Sequence, residues 1–146
     1  MTDHAPLELE RFLPYRLSIL SNRVSQAIAR TYQDRFDLSM TEWRVMAVLA
    51  RYDGDGLSAR EVASRTEMDK VAVSRALTRL VAAKRVARKT HAGDKRRSVL
   101  RLSAAGWKVH DAIAPLARAQ ERSMLGELTS EEHRALERIL DKLAPV

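Results

Sequence analysis

Cysteine is absent from this sequence of 146 residues. Disulfides, thiolate metal sites and thiol-based oxidant sensing are therefore excluded. The four histidines, His4, His91, His110 and His133, are far apart and show no short ligand spacing, so no metal site is expected. Aromatic residues make up only 5% of the chain, against 45% hydrophobic residues in all, which points to an aliphatic and helical core. No apolar run approaches the roughly 20 residues of a membrane span. The opening stretch MTDHAPLELERF lacks the basic-then-apolar layout of a signal peptide, so a cytoplasmic location and no membrane partner are expected. No nucleophile motif, phosphate-binding glycine loop or paired-carboxylate arrangement is visible, and neither an enzyme nor a cofactor is expected. Asp53-Gly54-Asp55-Gly56 is a turn; a calcium loop would need ligands where Leu57 and Ser64 stand.

Acidic residues are scarce in one region only. Residues 60–101 hold 13 Lys and Arg against 4 Asp and Glu, whereas the rest of the chain holds 13 against 15. The excess behind the net charge of +7 is thus confined to the middle third. A concentrated basic block is the electrostatic footprint of a nucleic-acid partner.

Within that block the stretch Asp69 to Lys84, DKVAVSRALTRLVAAK, reads as a helix. At 100° per residue Val73, Ala76, Leu77 and Leu80 share one arc. Val71, Ser74, Arg75, Thr78 and Ala82 fall opposite, with Arg79 beside them, and no carboxylate follows Asp69 on that side. A solvated face usually mixes both signs. This one has guanidiniums and hydroxyls free to donate to phosphates and base edges.

Taken in order, Leu7 to Phe36 reads as helix interrupted at Pro14, with a stripe of Leu13, Leu17, Leu20, Val24, Ala27/Ile28 and Thr31 stepping by three and four. Arg16, Arg23 and Arg30 edge the stripe; Arg16, beside Tyr15, is the first candidate for holding a carboxylate. Thr41 is expected to cap a second helix running to about Tyr52. Core packing is the simpler reading of its Trp43 and Met46, and lining a small-molecule pocket is the other. Ser58-Ala-Arg-Glu61 is a capping box opening a short helix to about Thr66, and Asp69 caps the next, which makes a helix-turn-helix. Val86–Thr90 and Ser98–Leu102 read as strands joined by HAGDKRR, with Gly93-Asp94 supplying the turn and Lys95, Arg96 and Arg97 at the tip. Ser103 caps a long helix that Pro115 is expected to kink. Thr129-Ser-Glu-Glu132 opens a last one with an apolar face of Leu136, Ile139, Leu140 and Leu143. These terminal helices suit packing against a second copy.

The segments MDKVAVSRALTRLVAAKRVARK and GDKRRSVLRLSAAG make the chain similar to MarR-type winged-helix transcriptional regulators. Asp94, Arg96, Leu102, Ser103 and Gly106 match that family's wing signature, and the order of helices around them matches as well. The resemblance implies a mainly α fold with a small β-hairpin wing: a winged helix-turn-helix lobe over 37–102, an N-terminal dimerisation helix over 1–36 and C-terminal dimerisation helices over 103–146. It implies a homodimer on a palindromic double-stranded DNA operator, acting as a repressor released by a small aromatic carboxylate or phenolic effector. Lys70, Val71, Ser74, Arg75, Thr78 and Arg79, with Lys95, Arg96 and Arg97, are the expected DNA-binding residues; Arg16, Trp43 and Met46 are the candidates for the ligand. The competing expectation is a non-specific architectural DNA-binding protein without an effector.

Overall fold

The computed structural model describes residues 3–91 and 94–146, with side chains other than those of 91 and 94–97. A 3-10 turn at Leu9–Arg11 leads into α1 (Leu13–Ala29), which takes Pro14 in its first turn, where no amide hydrogen is needed. The helix does not run on to Phe36 as the stripe suggests. The amides of Thr31 and Tyr32 bond three residues back, to Ile28 and Ala29 (3.0 and 3.1 Å), and the Thr31 hydroxyl donates to the Ile28 carbonyl at 2.6 Å. This tight end turns Tyr32 into the core, and the four-residue α2 (Gln33–Phe36) follows.

The cap of α3 (Met40–Arg51) is Ser39, not Thr41. The Glu42 amide donates to Ser39 Oγ at 3.1 Å, and the Ser39 amide donates to Glu42 Oε2 at 2.8 Å. Val45, Met46 and Leu49 of α3 are buried, so this helix is the spine of the lobe. The capping boxes at Ser58 and Glu61, opening α4 (Ala59–Thr66), and at Thr129 and Glu132, opening α7 (Ser130–Leu143), form as the sequence indicates. Asp69 caps α5 (Lys70–Ala82), its Oδ2 accepting from the Ala72 amide at 3.1 Å. That helix stops at Ala82, because the chain turns into the left-handed region at Lys84 (φ 60°).

The hairpin is longer than expected. Strands β1 (Val86–His91) and β2 (Asp94–Leu102) pair antiparallel from Val86 with Leu102 out to His91 with Asp94, across an irregularity between Thr90 and His91. Lys95, Arg96 and Arg97 therefore belong to a strand rather than to a tip loop. Gly93 of the expected turn lies outside the described residues. The Leu57 backbone bridges to Leu100, adding a short third edge. Ser103 caps α6 (Ala104–Leu125), which continues as one helix through Pro115.

Packing joins these elements into one core. Val73, Ala76, Leu77 and Leu80 of α5 are buried together with Val62, Leu100, Leu102, Val109 and Ile113. A row of rings ties α3 to α6: Trp43 lies 6.0 Å from Tyr32 and stacks on His110 at 5.7 Å, and the edge of Trp107 meets the same histidine at 5.3 Å. Burial pushes the Tyr32 hydroxyl up to about 12, nearby Glu42 adding to the rise and Arg44 opposing it.

Candidate nucleic-acid interface

The two faces of α5 divide as the helical period requires. Val73, Ala76, Leu77 and Leu80 are at most 4% exposed, whereas Lys70, Val71, Ser74, Arg75, Thr78, Arg79 and Ala82 all face solvent. Val71, at 56% exposure, is an aliphatic group among these cations. The outer face carries no carboxylate between Lys70 and Ala82.

The hydroxyls on this face are not equivalent. Thr78 Oγ1 donates to the Ser74 carbonyl at 3.0 Å, so its proton is committed to its own helix. Its free lone pairs and its methyl group remain for a partner. Ser74 faces solvent one turn earlier, beside the slot between the two helices of the motif. That slot, a cavity of about 240 Å³, is lined by Ala59, Arg60, Ala63, Lys70, Val73 and Ser74. Arg60 thus joins the cationic surface, although its place inside a capping box conceals this in the sequence. The signal was its net charge at the start of α4, two residues after the cap.

At the other end of α5 a second cavity, of about 740 Å³, has Asp34, Asp37 and Glu42 among its lining residues, together with Arg79 and Arg85. Glu42 is 6% exposed, and its carboxylate is held by the Ser39 amide. The Arg85 guanidinium donates to the Phe36 carbonyl at 2.6 Å, tying the end of α5 to α2.

The β-hairpin follows α5 directly. Arg88 and Lys89 on β1 are exposed, and β2 carries Lys95, Arg96 and Arg97 along its first half. The candidate ligand residues occupy different surroundings. Arg16 is exposed on α1, Trp43 is half-buried in the ring row, and Met46 is fully enclosed in the core. None of the three lines the 740 Å³ cavity.

A helix-turn-helix whose second helix shows a carboxylate-free face, followed at once by a hairpin, is a winged helix. Comparison with known proteins agrees. The family model described as MarR family matches residues 36–97. Over these residues the chain resembles MarR-type winged-helix transcriptional regulators. The chain is similar over nearly its whole length to a MarR family transcriptional regulator from Silicibacter pomeroyi, with 27% identity, 97% of this chain and 94% of that one covered, and a TM-score of 0.76. It is also similar to a MarR/EmrR family transcriptional regulator from Acinetobacter sp. ADP1, at 26% identity, 94% and 95% coverage and a TM-score of 0.81. BpsR of Bordetella bronchiseptica, whose DNA binding is regulated by 6-hydroxynicotinic acid, shares the fold at 22% identity, with 97% and 99% coverage and a TM-score of 0.80. No curated protein matches the sequence. Among the described residues no helix is long and apolar enough to cross a membrane.

Proposed function

We propose that the protein is a MarR-type transcriptional regulator, a homodimer that reads a palindromic operator and acts as a repressor released by a small aromatic or phenolic acid. The observation that carries the DNA-reading part is the exposed outer face of α5, cationic, hydroxylated and free of carboxylates. In this reading Ser74, Arg75 and Thr78 contact base edges, with Val71 against a thymine methyl. Lys70 and Arg79 hold phosphates, as do Lys95, Arg96 and Arg97 of the wing. Thr78 serves as acceptor or methyl contact, since its proton is already used.

The division into a DNA-binding lobe over 37–102 and dimerisation helices over 1–36 and 103–146 is supported by the uncovered apolar faces of the terminal helices. Leu13, Leu17 and Leu20 of α1 are 54, 47 and 54% exposed, and Ile139, Leu140 and Leu143 of α7 are 53, 47 and 64% exposed. Covering such groups is worth on the order of 1 kcal/mol each, counted twice in a symmetric pair. Two-fold symmetry then sets the half-sites roughly 10 bp apart.

Arg16 would hold a carboxylate and Trp43 would face an aromatic ring, with Met46 packed behind it. The regulation of BpsR by 6-hydroxynicotinic acid supports this ligand class. Release requires only that the ligand prefer a dimer in which the two α5 helices are wrongly spaced.

The test is selection of bound duplexes from a random pool, followed by footprinting on the winner. A two-fold site with protected major grooves one turn apart supports the reading, and an unstructured pool after selection refutes it. Arg96→Ala is expected to weaken binding to all duplexes and to flatten its salt dependence. Arg16→Ala is expected to abolish the response to aromatic acids while sparing DNA affinity; an unchanged response removes Arg16 from the site.

A further inference from the structure

The turn after α3 grips the wing. Asp53 accepts two hydrogen bonds from Arg101 of β2, Oδ1 from Nε at 3.3 Å and Oδ2 from Nη2 at 3.2 Å. This is the two-point fork that fixes a guanidinium in direction as well as distance. Three residues on, Gly56 takes a left-handed conformation (φ 76°) and lies so close to β2 that a Cβ there would run into Val99 and stand 2.9 Å from Arg101 Cγ. Leu57 then exchanges two backbone bonds with Leu100, its amide donating at 3.1 Å and its carbonyl accepting at 2.7 Å. Three consecutive residues of the wing strand are thus held by one five-residue turn.

We propose that the Asp53–Arg101 pair is a positioning device that sets the angle of the wing to α5. The inference rests on the reading of the hairpin as a DNA-contacting arm. The turn is an immediate extension of α3, the buried helix against which α5 packs. Arg101 lies near the root of the hairpin, and Arg96 lies five residues further out on the same strand. At about 3.4 Å per residue for a regular strand the lever is at most about 17 Å long, so a tilt of about 10° at the root moves Arg96 by up to about 3 Å, enough to lose a phosphate or minor-groove contact. Leu57 and Leu100 hold the strand at a point. The Asp53 fork, beyond that point, resists rotation about it.

The sign of one substitution decides the matter. Asp53→Asn removes a negative charge from a DNA-binding protein, and electrostatics alone would tighten operator binding. Loss of the positioning pair would weaken it, by roughly three- to fivefold. The experiment measures operator affinity, hydroxyl-radical footprint and thermal unfolding for the wild-type full-length protein, Asp53→Asn, Arg101→Lys and Arg96→Ala. The expected result is weaker binding by Asp53→Asn, loss of protection in the sequence flanking the major-groove contacts, central protection kept and an unfolding midpoint close to wild type. Equal or tighter binding with flanking protection intact overturns the inference. Should Asp53→Asn unfold early, Arg101→Lys decides by the same readouts, since it keeps the charge and loses only the two-point contact. If Arg96→Ala leaves both affinity and flanking protection unchanged, the wing does not touch DNA, and the reading beneath the inference fails with it. If Arg96→Ala weakens binding and the Asp53 and Arg101 variants do not, the wing reading stands and the positioning role alone is lost.

Discussion

The guanidinium of Arg85 donates to the main-chain carbonyl of Phe36, 49 residues earlier, across 2.6 Å. This contact joins the end of α5 to the helix pair at the start of the chain. The acceptor sits in a partly buried setting, and removing the donor leaves a carbonyl without its partner. Arg85→Ala should therefore lower stability to urea by about 1–3 kcal/mol. A change within 0.3 kcal/mol would mean that water replaces the guanidinium freely.

Gly106, in the first turn of α6, faces the Arg85 carbonyl so closely that a Cβ would collide with it. The opposing atom is backbone and cannot swing aside. Ser103 fixes the same junction, its amide donating to the Arg85 carbonyl at 3.0 Å and its hydroxyl to the Lys84 carbonyl at 2.6 Å. Gly106→Ala is expected to cost about 1–3 kcal/mol, despite the better helix propensity of alanine. An unchanged or raised melting temperature would contradict this packing.

Tyr32 predicts a dependence on alkaline pH. Its hydroxyl is raised from 10.0 to about 12, chiefly by burial. A group whose folded value is raised supplies stability that is complete below pH 10 and is lost as pH climbs toward 12. The full loss amounts to about 3 kcal/mol. The difference in unfolding free energy between the wild type and Tyr32→Phe, taken at pH 9 and again near pH 11.5, isolates this group. The difference should shift toward the variant at the higher pH, and a constant difference would show that Tyr32 ionises without penalty.

The uncovered leucines of α1 and α7 lead to a prediction about assembly. A charge at Leu17 or Leu140 has no cost in the isolated chain, because both side chains face solvent there. In a dimer the same charge would be buried without a partner. Leu17→Glu and Leu140→Glu should therefore shift sedimentation toward monomer and lower operator affinity at least tenfold, with helix content retained. Unaltered sedimentation would place the interface elsewhere.

Much of this architecture is legible from local signals. Ser58, Asp69, Ser103 and Thr129 are readable as caps, because a cap and its partner lie within three residues. Ser39 is equally readable, with Glu42 three positions on, but the nearby Thr41 competes with it as a cap. The faces of α5 follow from the helical period alone. The end of α1 does not, since the apolar stripe continues through Thr31 and only the core position of Tyr32 shows why the helix must stop. The extra length of the hairpin is likewise hidden: a run of Lys, Arg and Thr lacks the apolar alternation that marks a strand. The contacts that orient the interface, Asp53 with Arg101 and Arg85 with Phe36, join positions nearly 50 residues apart and leave no local trace.

The central claim is that the outer face of α5 reads base sequence. It is tested most directly by competition, in which a selected operator is displaced by bulk DNA at physiological salt for the wild type and for Arg75→Ala. The wild type should prefer its operator by about 10³-fold or more. Arg75→Ala should lose about 1–3 kcal/mol of that preference at a single base pair while its affinity for bulk DNA changes little. Equal losses on operator and bulk DNA would contradict the claim.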